Sequence, residues 1–252
     1  MPEINSMSLV SDGNLYNYYR MESSSDDEKN NNEGTDTSVT FSSGNGKFTN
    51  GGGYDGSASY STLTNKNFSG TTATIGAWVK YTSTATSRMT IFYGQNVAGN
   101  ELWEISANNG GSDGKLQCLF RGSGGGSPGQ IVSSASYNDG NWHLVIGTYN
   151  NGTATELFVD GSSLGTSSSS SGDIFTSNTQ SYIGANNAAG NKFNGSIDDV
   201  FLFTRVLSGA EILSIYAAGP GNLKTVNGLA TASIKTINGL AIASVKSING
   251  MV

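Results

Sequence analysis

Short runs of alternating apolar and polar residues fill the middle of the chain, separated by Gly, Ser, Asn and Asp clusters every 8 to 15 residues. That spacing predicts the strands of a sandwich or barrel. Thr74–Tyr81 (TIGAWVKY), Leu116–Arg121 (LQCLFR) and Trp142–Tyr149 (WHLVIGTY) read as strands, the last with Trp142, Leu144 and Ile146 on one face. Leu157–Val159 runs into Asp160-Gly161 and on to Leu164, a tight hairpin, because both turn residues tolerate positive φ. One helix is predicted near the end of this region. Ser208 and Glu211 have capping-box spacing, Ile212, Ile215 and Tyr216 share a helical face, and Gly219-Pro220 stops the element. The serine run 167–171 reads as a loop.

The pattern changes at the C-terminus. LKTVNGLATAS, IKTINGLAIAS and VKSINGMV start at Leu223, Ile234 and Val245, an 11-residue period with Asn-Gly at Asn227-Gly228, Asn238-Gly239 and Asn249-Gly250. Such a period also suits a right-handed helical supercoil, but a glycine in every unit and the β-branched positions oppose helix. Short strands with recurrent turns are expected. The organisation is therefore a polar lead (1–14), a globular body (15–220) and a repeat tail (221–252). Three small units cannot bury their own apolar faces. The tail is expected to self-associate into a trimer or fibre, with disorder as the alternative.

Composition fits this picture. Only 13% of residues are charged, glycines number 35, and aromatics at 10% are enough for a packed core. All 19 acidic residues and 10 of the 13 basic ones lie in residues 1–222, while the tail carries Lys224, Lys235 and Lys246 with no acid. An acidic body argues against nucleic acid as partner. The single cysteine, Cys118, forms no intrachain disulfide and reads as a buried apolar residue. No run is long and apolar enough to insert into a membrane, and Met1–Val10 lacks a signal-peptide pattern.

YYRME (18–22), GKFTNGGGYDGSASY (46–60), IGAWVK (75–80), NDGNWHLVIGTYNNGTATELFVDGSSLG (138–165) and YIGANNAAGNKFNGSIDDVFLFTRVLSGAEILSIYAAG (182–219) follow one another along the chain. Together, in that order, they resemble the laminin G-like (type 3) branch of the concanavalin A-like lectin/glucanase superfamily. The resemblance implies an all-β jelly-roll sandwich of two antiparallel sheets, with one short C-terminal helix and the separate tail.

Fold alone does not assign chemistry. The glycosidases of this superfamily carry paired glutamates on one strand face, and that pattern is missing. Glu101 and Glu104 are three apart, which on a regular strand points them to opposite faces, as a solvated pair beside Leu102 and Trp103. The lone histidine, His143, is expected to face solvent or bond a loop. Asp198 and Asp199 begin a strand that is apolar on both faces, so at least one carboxylate heads a buried row and needs partners. The resemblance places Glu22, Asp26 and Asp27 beside that strand, and oxygen ligands converging from two loops suit Ca²⁺. The alternative is that Asp198 accepts backbone N–H groups. For sugar contact the candidates are Asn96, Trp103, Asn108, Asn109, Tyr137, Asn186 and Asn187, with Tyr54, Tyr60 and Tyr93 as further stacking aromatics. The expected function is a non-catalytic module that binds a glycan or another surface ligand, located on a cell surface or virion and displayed through the oligomerising tail. The alternative is a structural subunit of a virion, phage appendage or surface fibre.

Overall fold

The computed structural model describes residues 8–64, 70–85, 87–96, 101–108, 111, 113–122, 128–151, 153–168, 172–174, 178–186 and 190–217, with 225–226, 229–230, 236–237 and 240–241 of the tail. The body contains fifteen strands: β1 (Leu15–Tyr19), β2 (Gly34–Thr37), β3 (Thr40–Ser42), β4 (Gly51–Asp55), β5 (Tyr60–Leu63), β6 (Thr72–Lys80), β7 (Met89–Asn96), β8 (Glu101–Ala107), β9 (Lys115–Phe120), β10 (Gly129–Ser136), β11 (His143–Asn150), β12 (Ala154–Val159), β13 (Ser162–Ser167), β14 (Asn178–Ile183) and β15 (Asn194–Phe203). One helix, α1 (Gly209–Ala217), follows.

Two antiparallel sheets face each other. The first runs β13-β12-β11-β6-β15-β4-β3, with β1 also paired to β15, and the second runs β10-β9-β8-β7-β14-β5-β2. Between them lies a core that includes Ile75, Ala77, Val79, Phe92, Trp103, Ile105, Cys118, Phe120, Val145, Tyr149, Ile183, Ile197, Val200 and Leu202. Gly147 lets β11 approach β9, since a Cβ there would sit 2.8 Å from that of Cys118. Cys118 is fully buried, as expected, and its thiol reaches the Glu156 carbonyl at 3.6 Å.

A second apolar layer covers the outer face of the first sheet. Trp78, Leu144, Ile146, Phe158, Phe201 and Phe203 pack there against Ile212 and Ile215 of α1, Leu207, and Leu9 of the N-terminal lead. The capping box forms as expected: Ser208 Oγ accepts from the Glu211 N–H at 3.3 Å and Glu211 Oε2 accepts from the Ser208 N–H at 2.8 Å. Arg205 ties the two ends together, donating to Asp12 at 2.6 Å and to Glu211 at 2.7 Å. The Asp160-Gly161 hairpin has φ of 52° and 79°, the two left-handed residues its sequence demands. Because the first sheet is buried on both faces, its strands read as nearly unbroken apolar runs.

Asp198 and Asp199 sit where β15 changes partners. Asn194–Ile197 pairs with β4, whereas Val200–Phe203 pairs with β1. A bulge against β6 falls at the same point, and Asp199 takes φ 46°. The extra residue resets the alternation, so Ile197, Val200 and Leu202 face the inter-sheet core while Phe201 and Phe203 face the outer layer.

In the tail, Thr225–Val226 pairs with Leu229–Ala230, and Thr236–Ile237 with Leu240–Ala241. Two successive repeats thus form the same short antiparallel pair. Leu223, Asn227, Gly228, Ile234, Asn238, Gly239, Val245, Asn249 and Gly250, singled out from the sequence, lie outside the described residues.

Candidate functional site

The outer face of the second sheet has a different character from that of the first. Cross-strand pairing fixes which side chains share it. Thr62 lies opposite Tyr182, Tyr182 opposite Tyr93, Tyr93 opposite Glu104, Glu104 opposite Leu119, and Leu119 opposite Gln130. A parallel row holds Thr90, Ser106, Gln117 and Val132, and Gln180 faces Gln95. The alternate residues Trp103, Ile105, Cys118 and Phe120 point into the core. The tyrosines and glutamines of these strands therefore collect on one surface.

The amides and hydroxyls form chains across the strands. Gln130 donates to Gln117 at 2.8 Å, and Gln117 donates to Ser106 Oγ at 2.6 Å. Tyr93 donates to Gln95 at 3.2 Å, and Gln95 donates to Gln180 at 3.2 Å. The Tyr60 and Tyr182 rings lie 6.3 Å apart, and the Lys192 ammonium stands 3.6 Å above the Tyr60 ring. Burial lowers the Lys192 pKa from its ordinary value. Tyr93 and Tyr182 are buried at the bottom of this layer, whereas Tyr60, Gln95 and Gln180 are half-buried and Gln130 is exposed.

Charge on this face is paired. Glu104 is fully buried and accepts from Arg88 at 2.5 Å and from Thr90 Oγ1 at 2.8 Å. Arg88 also lies 3.4 Å from Glu101, and Arg121 donates through Nε to the Glu101 carbonyl at 3.2 Å. Burial raises the Glu104 pKa, with Arg88 opposing. This corrects the expectation of a solvated Glu101–Glu104 pair on opposite faces. β7 carries an extra residue between Thr90 and Phe92, and β8 one between Glu101 and Trp103; the latter breaks the alternation between Glu101 and Glu104, and both carboxylates reach one guanidinium.

The residues proposed for sugar contact are scattered. Trp103 is a core residue packed on Phe92 at 4.6 Å, and Tyr54 is buried against Phe193; neither is an exposed stacking ring. Asn108 is fully buried, with φ 55°, and acts as a loop staple: its Oδ1 accepts from the Gly114 N–H at 2.8 Å and its Nδ2 donates to the Ala85 carbonyl at 3.3 Å. Tyr137 is half-buried and packs edge-on to His143. Asn186 is half-buried in the loop between β14 and β15. Asn96 ends β7, paired with Asn178, and its side chain, like Asn109 and Asn187, lies outside the described residues. Tyr60 and Tyr93 do stand on the polar face. Gln95, Gln117, Gln130, Gln180 and Tyr182 escaped the sequence reading. Their signal is the i, i+2 spacing of Tyr93/Gln95, Gln117/Leu119 and Gln180/Tyr182 inside otherwise apolar strands.

The carboxylates expected to gather around calcium occupy separate settings. Asp27 is buried and accepts the N–H groups of Tyr18, Lys29, Asn31 and Asn32 and the Asn17 amide, at 2.7–3.1 Å; it organises its own loop. Asp26 is exposed and accepts from Ser24. Asp199 accepts from the Tyr18 hydroxyl at 2.5 Å. Asp198 accepts from the Lys47 N–H at 2.8 Å, and Glu22 accepts from the Asn50 N–H at 3.2 Å and from Thr49. Among the described residues no three His, Cys, Asp or Glu side chains cluster as metal ligands, so the five do not form one centre. Glu22 and Asp198 alone remain near each other, beside the Gly46–Asn50 segment.

His143 is held from both sides, by Asp160 at Nδ1 (2.7 Å) and Asp139 at Nε2 (3.1 Å). The Asp160 contact chiefly raises its pKa. The expectation of a loop-bonding histidine is met.

Comparison with known proteins agrees with this architecture. Domain 4 of AbnA, an extracellular arabinanase from Geobacillus stearothermophilus solved with arabinotriose, matches with a TM-score of 0.63 and 21% identity, over 80% of this chain and 98% of that one. The binding domain of Paraclostridial Mosquitocidal Protein 1 matches with a TM-score of 0.63 and 17% identity, over 81% of this chain and 52% of that one. The botulinum neurotoxin serotype D ligand-binding domain, solved with N-acetylneuraminic acid, gives 0.61 and 15%, over 81% and 50%. This chain thus spans about half the length of the toxin domains. No curated protein sequence matches it. Among the described residues no helix is long and apolar enough to cross a membrane. The model of the laminin G-like family Laminin_G_3 matches residues 55–213, and the chain belongs to this family of the concanavalin A-like lectin/glucanases superfamily.

Proposed function

We propose that the body is a non-catalytic glycan-binding module whose ligand lies across the outer face of the second sheet. The observation that carries this reading is that Tyr60, Gln95 and Gln180 are half-buried and Gln130 exposed on that one face, above the buried Tyr93, Tyr182 and Gln117. The half-buried Tyr60 ring offers a surface to sugar C–H groups, and the three accessible amides donate and accept to sugar hydroxyls. The arabinanase domain solved with arabinotriose and the toxin domain solved with N-acetylneuraminic acid support a sugar ligand on this fold. Catalysis is left out of the reading because Arg88 ties up the two carboxylates on the face, whereas glycoside hydrolysis needs one free acid and one free base or nucleophile. Titration calorimetry against oligosaccharides tests it. Tyr60→Ala and Gln95→Ala are expected to weaken binding at least about tenfold with the unfolding midpoint unchanged. Release of reducing ends from a bound polysaccharide overturns the non-catalytic part.

Calcium enters this reading only at Glu22 and Asp198. Burial, with Glu22's charge adding, pushes Asp198 up to about 7. A divalent cation relieves that repulsion, and the two carboxylates, which accept from Lys47, Asp199, Thr49 and Asn50, keep part of their acceptor capacity for it. Millimolar Ca²⁺ against EDTA is expected to raise the unfolding midpoint; an equal midpoint removes the cation. For the tail, the repeated two-stranded pairs favour assembly between copies, since each is too small to stand alone. Light scattering of the full chain against residues 1–220 measures this, and a monomeric full chain at tens of micromolar, roughly, refutes it.

A further inference from the structure

Solvent reaches the polar face along its rim, where β2, β5 and β14 lie side by side. Thr35 stands opposite Thr62, Thr37 opposite Tyr60, and Thr62 opposite the buried Tyr182. The alternate residues of β5 turn the other way: Leu63 enters the core and Ser61 bonds Asp36. Thr35 and Thr37 are exposed, and Tyr60, Thr62, Gln180 and Lys192 are half-buried. Tyr60 lies two residues to one side of the Thr62–Tyr182 pair and Gln180 two residues to the other. The rim therefore runs about 14 Å along the strands at the usual rise per residue, which suits a short oligosaccharide. Hydroxyls, an amide and a ring line it, and the Lys192 ammonium stands at its Tyr60 end.

That ammonium is held in place without an ion pair. The backbone on both sides of it is pinned: the Asn191 carbonyl accepts from the Thr90 N–H at 2.8 Å, and the Phe193 N–H donates to the Gly184 carbonyl at 2.9 Å, with the Phe193 ring fully buried. Nζ sits 3.6 Å above the Tyr60 ring, and among the described residues no carboxylate comes within 4.0 Å of it. Asp55, the acid whose charge acts on it, directs Oδ1 to the N–H groups of Ser57, Ala58 and Ser59 at 2.8–2.9 Å. Arg20, Arg88, Arg121 and Arg205, by contrast, each lie within 4.0 Å of a carboxylate. An ammonium drawn partly out of water onto a ring keeps most of its attraction for an anion. Burial lowers the Lys192 pKa, and an arriving carboxylate opposes that shift. The body holds 19 acidic and 10 basic residues, so it repels a polyanion at long range. A sugar with one acid meets less of that repulsion, and its neutral neighbours find the hydroxyls and amide beyond Lys192.

We infer that this rim is a subsite for a short glycan carrying one carboxylate on an otherwise neutral chain, with the carboxylate on Lys192 and the neutral sugars along Tyr60, Thr62 and Gln180. This rests on the glycan-binding reading above. The test is calorimetry of the full chain in EDTA, so that no metal ion bridges the acid. Two matched pairs are compared: sialyllactose with lactose, and a xylo-oligosaccharide bearing one glucuronic acid with its neutral counterpart. The acidic member of at least one pair is expected to bind about three- to tenfold tighter at about 0.15 M salt, and the pair that shows it separates a sialic from a uronic source. Lys192→Gln is expected to abolish that preference while the thermal midpoint reports intact folding. In the native chain the preference should shrink as salt rises to about 0.5 M. Equal binding of acidic and neutral members, a preference that Lys192→Gln leaves intact, or one indifferent to salt overturns the Lys192 subsite and leaves the binding module standing. Binding of none of the four probes overturns the module reading itself, and the inference with it.

Discussion

The two sheets have the same architecture but opposite outer faces. The first carries Trp78, Leu144, Ile146, Phe158, Phe201 and Phe203, and covers them with α1 and the N-terminal lead. The second carries tyrosines, glutamines and a closed ion-pair network, and no helix of the described residues lies on it. A sheet face that folding alone had shaped could be made apolar and covered, or uniformly polar and fully exposed. The second face is neither. It buries tyrosines and a glutamate at its centre and leaves amides at its surface. Burying an ion pair is a weak source of stability compared with apolar packing. The contrast therefore separates a face organised for cohesion from one organised for contact.

The largest effect should come from breaking the cohesive face. Phe201→Ala removes a fully buried ring between Gly76 and Phe203 and is expected to cost about 3–5 kcal/mol in urea unfolding. Tyr60→Ala on the other face should cost under about 1 kcal/mol. Equal losses would dissolve the distinction. Next, Arg88→Ala strands the Glu104 carboxylate and should cost about 2–4 kcal/mol, whereas Arg88→Met with Glu104→Leu should be close to neutral. A double variant as unstable as the single one would show that the network holds the fold rather than tuning the face.

Ser208→Ala removes the cap of α1 and should cost about 1 kcal/mol, loosening the cover without touching the polar face; ligand affinity should not move. The smallest effect concerns pH. The folded pKa of His143 is raised above its ordinary 6.5, chiefly by Asp160. Its contribution is complete below the ordinary value and is lost as pH rises through the folded one. Urea midpoints of the native chain should fall across that window more steeply than those of His143→Gln, in which Asp198, raised to about 7, still titrates nearby.

Much of this was legible in the sequence, and for identifiable reasons. A sheet buried on both faces writes long apolar strings such as TIGAWVK and WHLVIGTY, and positive-φ turns and capping boxes have fixed spellings at Asp160-Gly161 and Ser208…Glu211. What stayed hidden depends on register. Glu101 and Glu104 are three apart, yet both meet Arg88, because an extra residue in β8 between Glu101 and Trp103 breaks the alternation. Asp198 and Asp199 read as calcium ligands because a buried carboxylate needs partners; where β15 bulges and changes neighbours, the chain supplies them as the Lys47 N–H and the Tyr18 hydroxyl. Glutamines carry no motif, so the polar face emerges only once the strands are laid side by side.

That change of partners has a consequence for how the module is mounted. By pairing first with β4 and then with β1, β15 brings the start and end of the body together: Leu15 lies opposite Phe203, Thr204 bonds Asn14, and Arg205 grips Asp12. Chain ends this close make the body an insertable cassette, tolerant of circular permutation at an exposed turn such as that between β11 and β12, where Asn150, Asn151 and Thr153 are exposed. Both connections depart from the covered side of the sandwich. Leu9 of the lead and Ile212 and Ile215 of α1 lie on the apolar layer, on the opposite side of the sandwich from the tyrosine and glutamine surface.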